Sequence, residues 1–102
     1  MNIVYFACKN NDEAQKIARA IISRKLAFCV NIVPKCYSIY LWKGKMEEST
    51  EAVVILKTLP HLVKKAISLI KNLHSYEMPE IVSWKIDKTT PEVEKWISKE
   101  LK

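Results

Sequence analysis

At 102 residues, with 49% hydrophobic residues, one glycine and four prolines, the chain has the length of one domain and the apolar content for one core. The single glycine and four prolines argue against linkers and low complexity, and no apolar run reaches membrane-spanning length. The net charge of +6 raises nucleic acid as a partner, yet the basic residues are scattered over helix exteriors in runs of no more than two; they read as solvated faces, and neither a nucleic-acid nor a membrane partner is predicted.

The N-terminus leads straight into Ile3 to Cys8, a near-continuous apolar run predicted as a central strand rather than a targeting segment. Asn10 or Asn11 supplies an N-cap, Asp12 and Glu13 fill the first turn, and Ala14, Ile17, Ala18, Ile21 and Ile22 recur at helical spacing up to Arg24-Lys25. Phe28 to Val33 is a second strand, broken by Pro34 and resuming at Tyr37 as the first arm of a hairpin. In that arm Tyr37, Ile39 and Leu41 alternate with Ser38, Tyr40 and Trp42, and Ala52 to Lys57 forms the return run. Between them lie Gly44, the only glycine, and a polar segment from Lys45 to Thr50, which predict an irregular tip. Neither face of the hairpin is polar, so a second copy of the chain is predicted to cover one of them.

Thr58 is the predicted cap of a second helix, with Pro60 in its first turn, an apolar stripe from Leu62 to Leu73 and an end near His74. Ile81 to Ile86 is the last strand. Thr90-Pro91 opens a final helix whose apolar face carries Val93, Trp96, Ile97 and Leu101. The order β-α-β-β-α-β-α predicts an α+β fold over residues 1–102, a ferredoxin-like sandwich with helices on one face of an antiparallel sheet, a long hairpin and an added C-terminal helix.

No GxSxG, HExxH, P-loop or GxGxxG motif is present, and Cys8 to Asp12 lacks the glycine an anion-binding loop needs after the first strand. No segment carries the aromatic platform of an RNA-binding domain on this fold. The densest chemistry is His74-Ser75-Tyr76-Glu77-Met78-Pro79-Glu80, an imidazole, a phenol and two carboxylates in one connection. By residue type alone that segment also fits a helix-capping histidine, a turn and two solvated glutamates. The three cysteines, odd in number and without CxxC spacing, predict free thiols in a reducing cytoplasm.

HSYEMPEI (74–81) resembles the HPYE-x-PEI signature of the CutA family, the divalent-cation tolerance proteins. LAFCVNI (26–32) resembles that family's LAACVNI, SIYLWKG (38–44) its S-x-Y-x-W-x-G, and ILKT (55–58) its LKT after the hairpin. The spacing matches from Ile3 to Trp96. The resemblance implies a homotrimer whose hairpins pair with neighbouring subunits, a shape shared with PII signalling proteins, no established catalytic activity, and links to copper and other divalent cations. By position it implies binding residues Cys29, Asn31, Trp42, Lys57, Tyr76, Glu77 and Glu80, with His74 as the metal residue.

The match is incomplete at the metal. The copper ligands proposed for some members, a cysteine late in the first strand and two adjacent histidines, correspond here to Phe6, Leu73 and His74, and only His74 is kept. Cys8, two residues past Phe6 on the same strand face, is the candidate substitute. Ser75 also replaces a proline, and Val93 a tyrosine. The expectation is a cytoplasmic, non-enzymatic homotrimer binding a small ligand or a divalent cation such as Cu(II). The rival readings are a PII-like signalling or protein-interaction module and a hydrolase using Glu77 or Glu80 as base.

Overall fold

The structure, a computed structural model, describes residues 1–101. Its elements are β1 (Asn2–Cys8), α1 (Asn11–Ser23), β2 (Cys29–Trp42), β3 (Lys45–Thr58), a 3₁₀ turn (Pro60–Leu62), α2 (Val63–Leu73), β4 (Ile81–Lys85) and α3 (Pro91–Glu100). The strands lie in the order β2-β3-β1-β4, and each neighbouring pair is antiparallel. This is the predicted α+β, ferredoxin-like arrangement. Among the described residues no helix is long and apolar enough to cross a membrane.

Alternation in the strands sets the two faces. Val4, Phe6 and Cys8 of β1 pair with Leu56, Val54 and Ala52 of β3 and turn toward the helices. Ile17 and Ile21 of α1 and Leu69 and Ile70 of α2 close on them, and this cluster is the core. Burying each such isoleucine contributes about 1.5–3 kcal/mol. Ile3, Tyr5 and Ala7 point to the opposite, open face, together with Glu51, Val53, Ile55 and Lys57 of β3.

The ends of α1 follow from side-chain chemistry. The Asn10 side chain accepts from the Glu13 backbone N–H, and the Glu13 carboxylate accepts from the Lys9 N–H. At the other end Lys25 N–H reaches Ile22 O and Leu26 N–H reaches Ile21 O, a Schellman closure with Lys25 at φ 55°. Thr90 caps α3 as predicted, its hydroxyl accepting from Val93 N–H.

Three local expectations are corrected. Thr58 does not cap the second helix: it remains in β3 opposite Asn2, and its hydroxyl donates to Leu26 O at 2.6 Å. The chain then enters α2 through the 3₁₀ turn, without a side-chain cap. The hairpin tip is not irregular. Lys43 and Gly44, at φ 52° and 79°, form a two-residue turn, and Trp42 already pairs with Lys45. Positive φ at both positions matches the twist of paired strands, so the polar residues 45–50 are simply strand. Pro34 does not break β2 either. It lies on an edge strand, where its missing N–H goes unused, and inside a bulge between Val33 and Cys36.

Candidate functional site

The bulge decides which residues share the open face. Val33 pairs with Val53 and Cys36 with Glu51, so β2 spends one more residue than β3 over this interval. Before the bulge Cys29, Asn31 and Val33 face the open side; after it Cys36, Ser38, Tyr40 and Trp42 do. The extra residue at Pro34-Lys35 therefore brings Tyr40 and Trp42 onto the face that carries Glu51 and Tyr5.

The loop after α2 is fixed from its first residue. His74 is 8% exposed and packs its ring on Phe6 and Tyr76, with centroids 6.0 and 4.7 Å apart. Its Nε2 lies 2.7 Å from Ala7 O, and its Nδ1 accepts from Tyr76 N–H at 3.1 Å. A carbonyl only accepts, so the imidazole carries its proton on Nε2 and its Nδ1 lone pair is engaged. Ser75 N–H donates to the second oxygen of Glu13. With both ends of this short segment tied, Tyr76 is aimed at the sheet, and its hydroxyl donates to Glu51 Oε2 at 2.6 Å. Burial, followed by that hydrogen bond, raises the Tyr76 phenol well above its ordinary value of 10.0 and keeps it protonated.

A groove of about 670 Å³ lies between this loop, the hairpin and the open face. Tyr5, Tyr40, Trp42 and Tyr76 form its walls, and Glu51, Glu77 and Glu80 supply its charge. Four of the expected binding residues, Trp42, Tyr76, Glu77 and Glu80, thus come together. Cys29, Asn31 and Lys57 do not line this groove. Cys29 Sγ lies 3.8 Å from Asn31 Oδ1, and Lys57 pairs with Cys29 across the strands. Lys57 is six positions from Glu51 along β3, roughly 20 Å.

Glu51 and Tyr40 belong to the groove but not to the expected set. Their sequence signals were a carboxylate opening an apolar strand run and an aromatic two positions from Trp42. Neither is legible without the register that pairs Cys36 with Glu51.

A metal-type cluster does form around His74. Ligand atoms of Cys8, Glu13 and His74 lie within 4.8 Å of one another. They do not fit a resident metal as the chain stands. Both His74 nitrogens and both Glu13 oxygens hold internal hydrogen bonds. Burial, with the Glu13 and Glu51 charges nearby, pushes the Cys8 thiol up to about 12, so a metal would have to displace its proton to bind there at neutral pH. The same groups act instead as a clasp joining β1, α1 and the loop.

A model of the family described as CutA1 divalent ion tolerance protein matches residues 2–100. The chain is 37% identical over 95 residues to the divalent-cation tolerance protein CutA of Thermus thermophilus, covering 93% of this chain and 92% of that protein. It is 39% identical over 97 residues to a CutA homolog of Xenopus laevis, covering 95% of this chain and 64% of that protein. It spans about half to two-thirds of the length of that and the mouse and human relatives. Its fold superposes with a TM-score of 0.95 on the periplasmic divalent cation tolerance protein CutA from Archaeoglobus fulgidus, at 33% identity, covering 99% of this chain and 98% of that one. CutA1 from Pyrococcus horikoshii gives a TM-score of 0.93 at 31% identity, covering 100% of this chain and 99% of that one. Sequence and fold agree from end to end, and the chain belongs to the CutA1 divalent ion tolerance family.

Proposed function

We propose that this chain is a non-enzymatic binding protein that takes a small ligand or a divalent cation in the groove between the hairpin and the 74–80 loop. The observation that carries this reading is the convergence of Trp42, Tyr76, Glu77 and Glu80 with the buried Glu51 on one concave surface. A concave site with aromatic walls and a few placed polar groups is the usual form of a small-ligand site. The protonated Cys8 thiol and Tyr76 phenol favour binding over covalent chemistry, since neither is an activated nucleophile.

The working form is a homotrimer whose hairpins cover one another. Its support is the hairpin surface: Ile39, Leu41 and Met46 are exposed, Leu41 to 79% and Met46 to 69%. Apolar patches of that kind mark association surfaces. The free thiols of Cys8, Cys29 and Cys36 favour a cytoplasmic setting. The test is titration calorimetry of the purified protein with Cu(II), Zn(II), inorganic phosphate, acetate and butylguanidinium. Saturable heat with at least one, reduced in Trp42→Leu, is the expected result. Silence across the panel overturns the reading.

A further inference from the structure

Along the sequence the basic residues read as solvated helix exteriors; the fold gathers them. Residues 14–25 carry Lys16, Arg19, Arg24 and Lys25, and residues 59–73 carry Lys64, Lys65 and Lys71. Neither segment holds an acidic residue, and all seven bases are exposed. These segments are α1 beyond its first turn, its closing turn, the 3₁₀ turn and α2, the helix layer over the core.

Two hydrogen bonds fix how the helices lie. Ser75 N–H, just after α2, donates to Glu13 at the start of α1. The Thr58 hydroxyl, just ahead of α2, donates to Leu26 O, just after α1. The helices therefore run antiparallel, and Arg24 and Lys25 stand at the same end of the layer as Lys64 and Lys65. The acidic residues lie elsewhere: at the start of α1, on the hairpin, in the 74–80 loop and from Asp87 onward.

A helix face that is only solvated mixes signs, so that pairs one turn apart and the helix dipole both add stability. Here Lys16 and Arg19, one turn apart, repel, and Arg19 is hydrogen-bonded to Gln15 rather than to a carboxylate. Lys64 and Lys65 occupy the first turn of α2, which has neither an acidic residue nor a side-chain cap, so both oppose the dipole. Charges kept against a local rule of stability point to a function that uses them. A dense negative charge laid over the layer relieves each of these repulsions.

The layer covers the sheet face opposite the one that carries Tyr5 and Glu51, so association through the hairpin and the open face leaves it in solvent. Its chemistry selects the partner. α1 and α2 contain no Phe, Tyr or Trp, so there is no platform on which single-stranded bases could stack. Apart from Ile22, 42% exposed, their large apolar side chains are spent on the core, so no apolar face remains to enter a bilayer. What remains is an array of point charges along helices of which the longer, with 13 residues, runs about 20 Å. Such an array suits the regularly spaced phosphates of a duplex, contacted through the backbone alone.

We infer that the α1–α2 layer is a sequence-independent docking surface for the phosphate backbone of a nucleic-acid duplex, with Arg24, Lys25, Lys64 and Lys65 as its anchoring end.

Fluorescence anisotropy of a short labelled DNA duplex of mixed sequence, titrated with the intact protein across a salt series, tests this. The expected result is saturable binding at low salt. Log affinity should fall against log salt with a slope of about −4 to −6, as about 0.9 per neutralised phosphate gives for most of the seven charges. Lys64→Gln combined with Lys65→Gln should flatten the slope by about 2 without lowering the melting temperature, since the conflict with the dipole goes too. The same charge change on α3, Lys95→Gln with Lys99→Gln, should leave the slope as it is. Equal flattening in both variants would mean a response to net charge rather than to a surface, and overturns the inference. An unchanged slope in the α2 variant overturns it as well. So does a duplex that stays unbound at low salt, whether or not vesicles rich in phosphatidylserine are bound instead.

Discussion

The Tyr76 hydroxyl lies 2.6 Å from Glu51 Oε2, so the loop ahead of β4 is tied to the middle strand pair by a phenol–carboxylate bond. Tyr76→Phe removes the donor and leaves a buried carboxylate short of a partner. The expected loss is about 1–2 kcal/mol. Glu51→Gln in the Tyr76→Phe background should recover part of it, because the uncompensated charge goes too. Urea denaturation of the four members of the cycle measures the coupling, and an additive result would show that the bond contributes nothing.

Cys8 sets an alkaline limit. Its thiol rises from 9.0 to about 12 in the fold, so the unfolded chain ionises first. The stability this contributes is complete below pH 9 and is lost as pH climbs from 9 toward 12, on the order of a few kcal/mol in all. Tyr76, also raised, adds to the loss above pH 10. Cys8→Ala should be less stable at pH 7 by about 1 kcal/mol from the cavity, yet flatter above pH 9. Melting temperature against pH for the two proteins checks it, and parallel curves would refute it.

Lys25 occupies the left-handed position that closes α1. A side chain there costs roughly 1 kcal/mol that glycine does not. Lys25→Gly should therefore raise stability by about 0.5–1 kcal/mol, read from the denaturant midpoint at unchanged slope. A destabilised variant would mean the lysine stem packs more usefully than its backbone strain suggests.

His74 holds its loop with both nitrogens, so Cu(II) must break the Tyr76 contact to reach Nδ1. Cu(II) binding at this residue should be weaker than micromolar, since one nitrogen supplies a quarter to a third of the ligands such a site needs. His74→Ala should lower stability by about 1–3 kcal/mol through the orphaned Ala7 carbonyl and Tyr76 amide. Tight Cu(II) binding that survives the substitution would place the copper elsewhere.

Trp42 tests the assembly. Trp42→Ala should weaken trimerisation as well as thermal stability, since truncating a well-packed tryptophan costs about 3–5 kcal/mol and symmetry repeats the loss in each subunit. Analytical ultracentrifugation separates this from packing within one chain, where the variant melts lower but keeps its oligomeric state. A wild type sedimenting as a monomer at micromolar concentration would refute the trimer.

The helices and the order of elements along the chain were legible because α1, α2 and α3 carry caps or apolar stripes at fixed spacing and β1 is a near-continuous apolar run. The groove was only half legible. Tyr76, Glu77 and Glu80 are neighbours in sequence, but Glu51 joins them only through pairing set by the bulge at Pro34-Lys35. A proline in a β-branched run reads as a stop, and whether it is one depends on the strand being an edge, which is tertiary information. Thr58 misled for a related reason: a threonine before a helix looks like a cap, while its hydroxyl was claimed by Leu26 O, 32 residues away.

β1 lies between β3 and β4, with Asn2 opposite both Thr58 and Lys85. The strand synthesised first is therefore completed last. Until Lys85 has left the ribosome, the apolar segment 3–8 has at most one partner strand and an unpaired edge. Loop-closure entropy over roughly half the chain for β3, and most of it for β4, precedes any gain from those pairings, which slows folding and leaves nascent chains exposed to association. Circular permutation through the exposed Lys43-Gly44 turn would place β1 after β3 and β4 in the order of synthesis, so that both its partner strands are made before it.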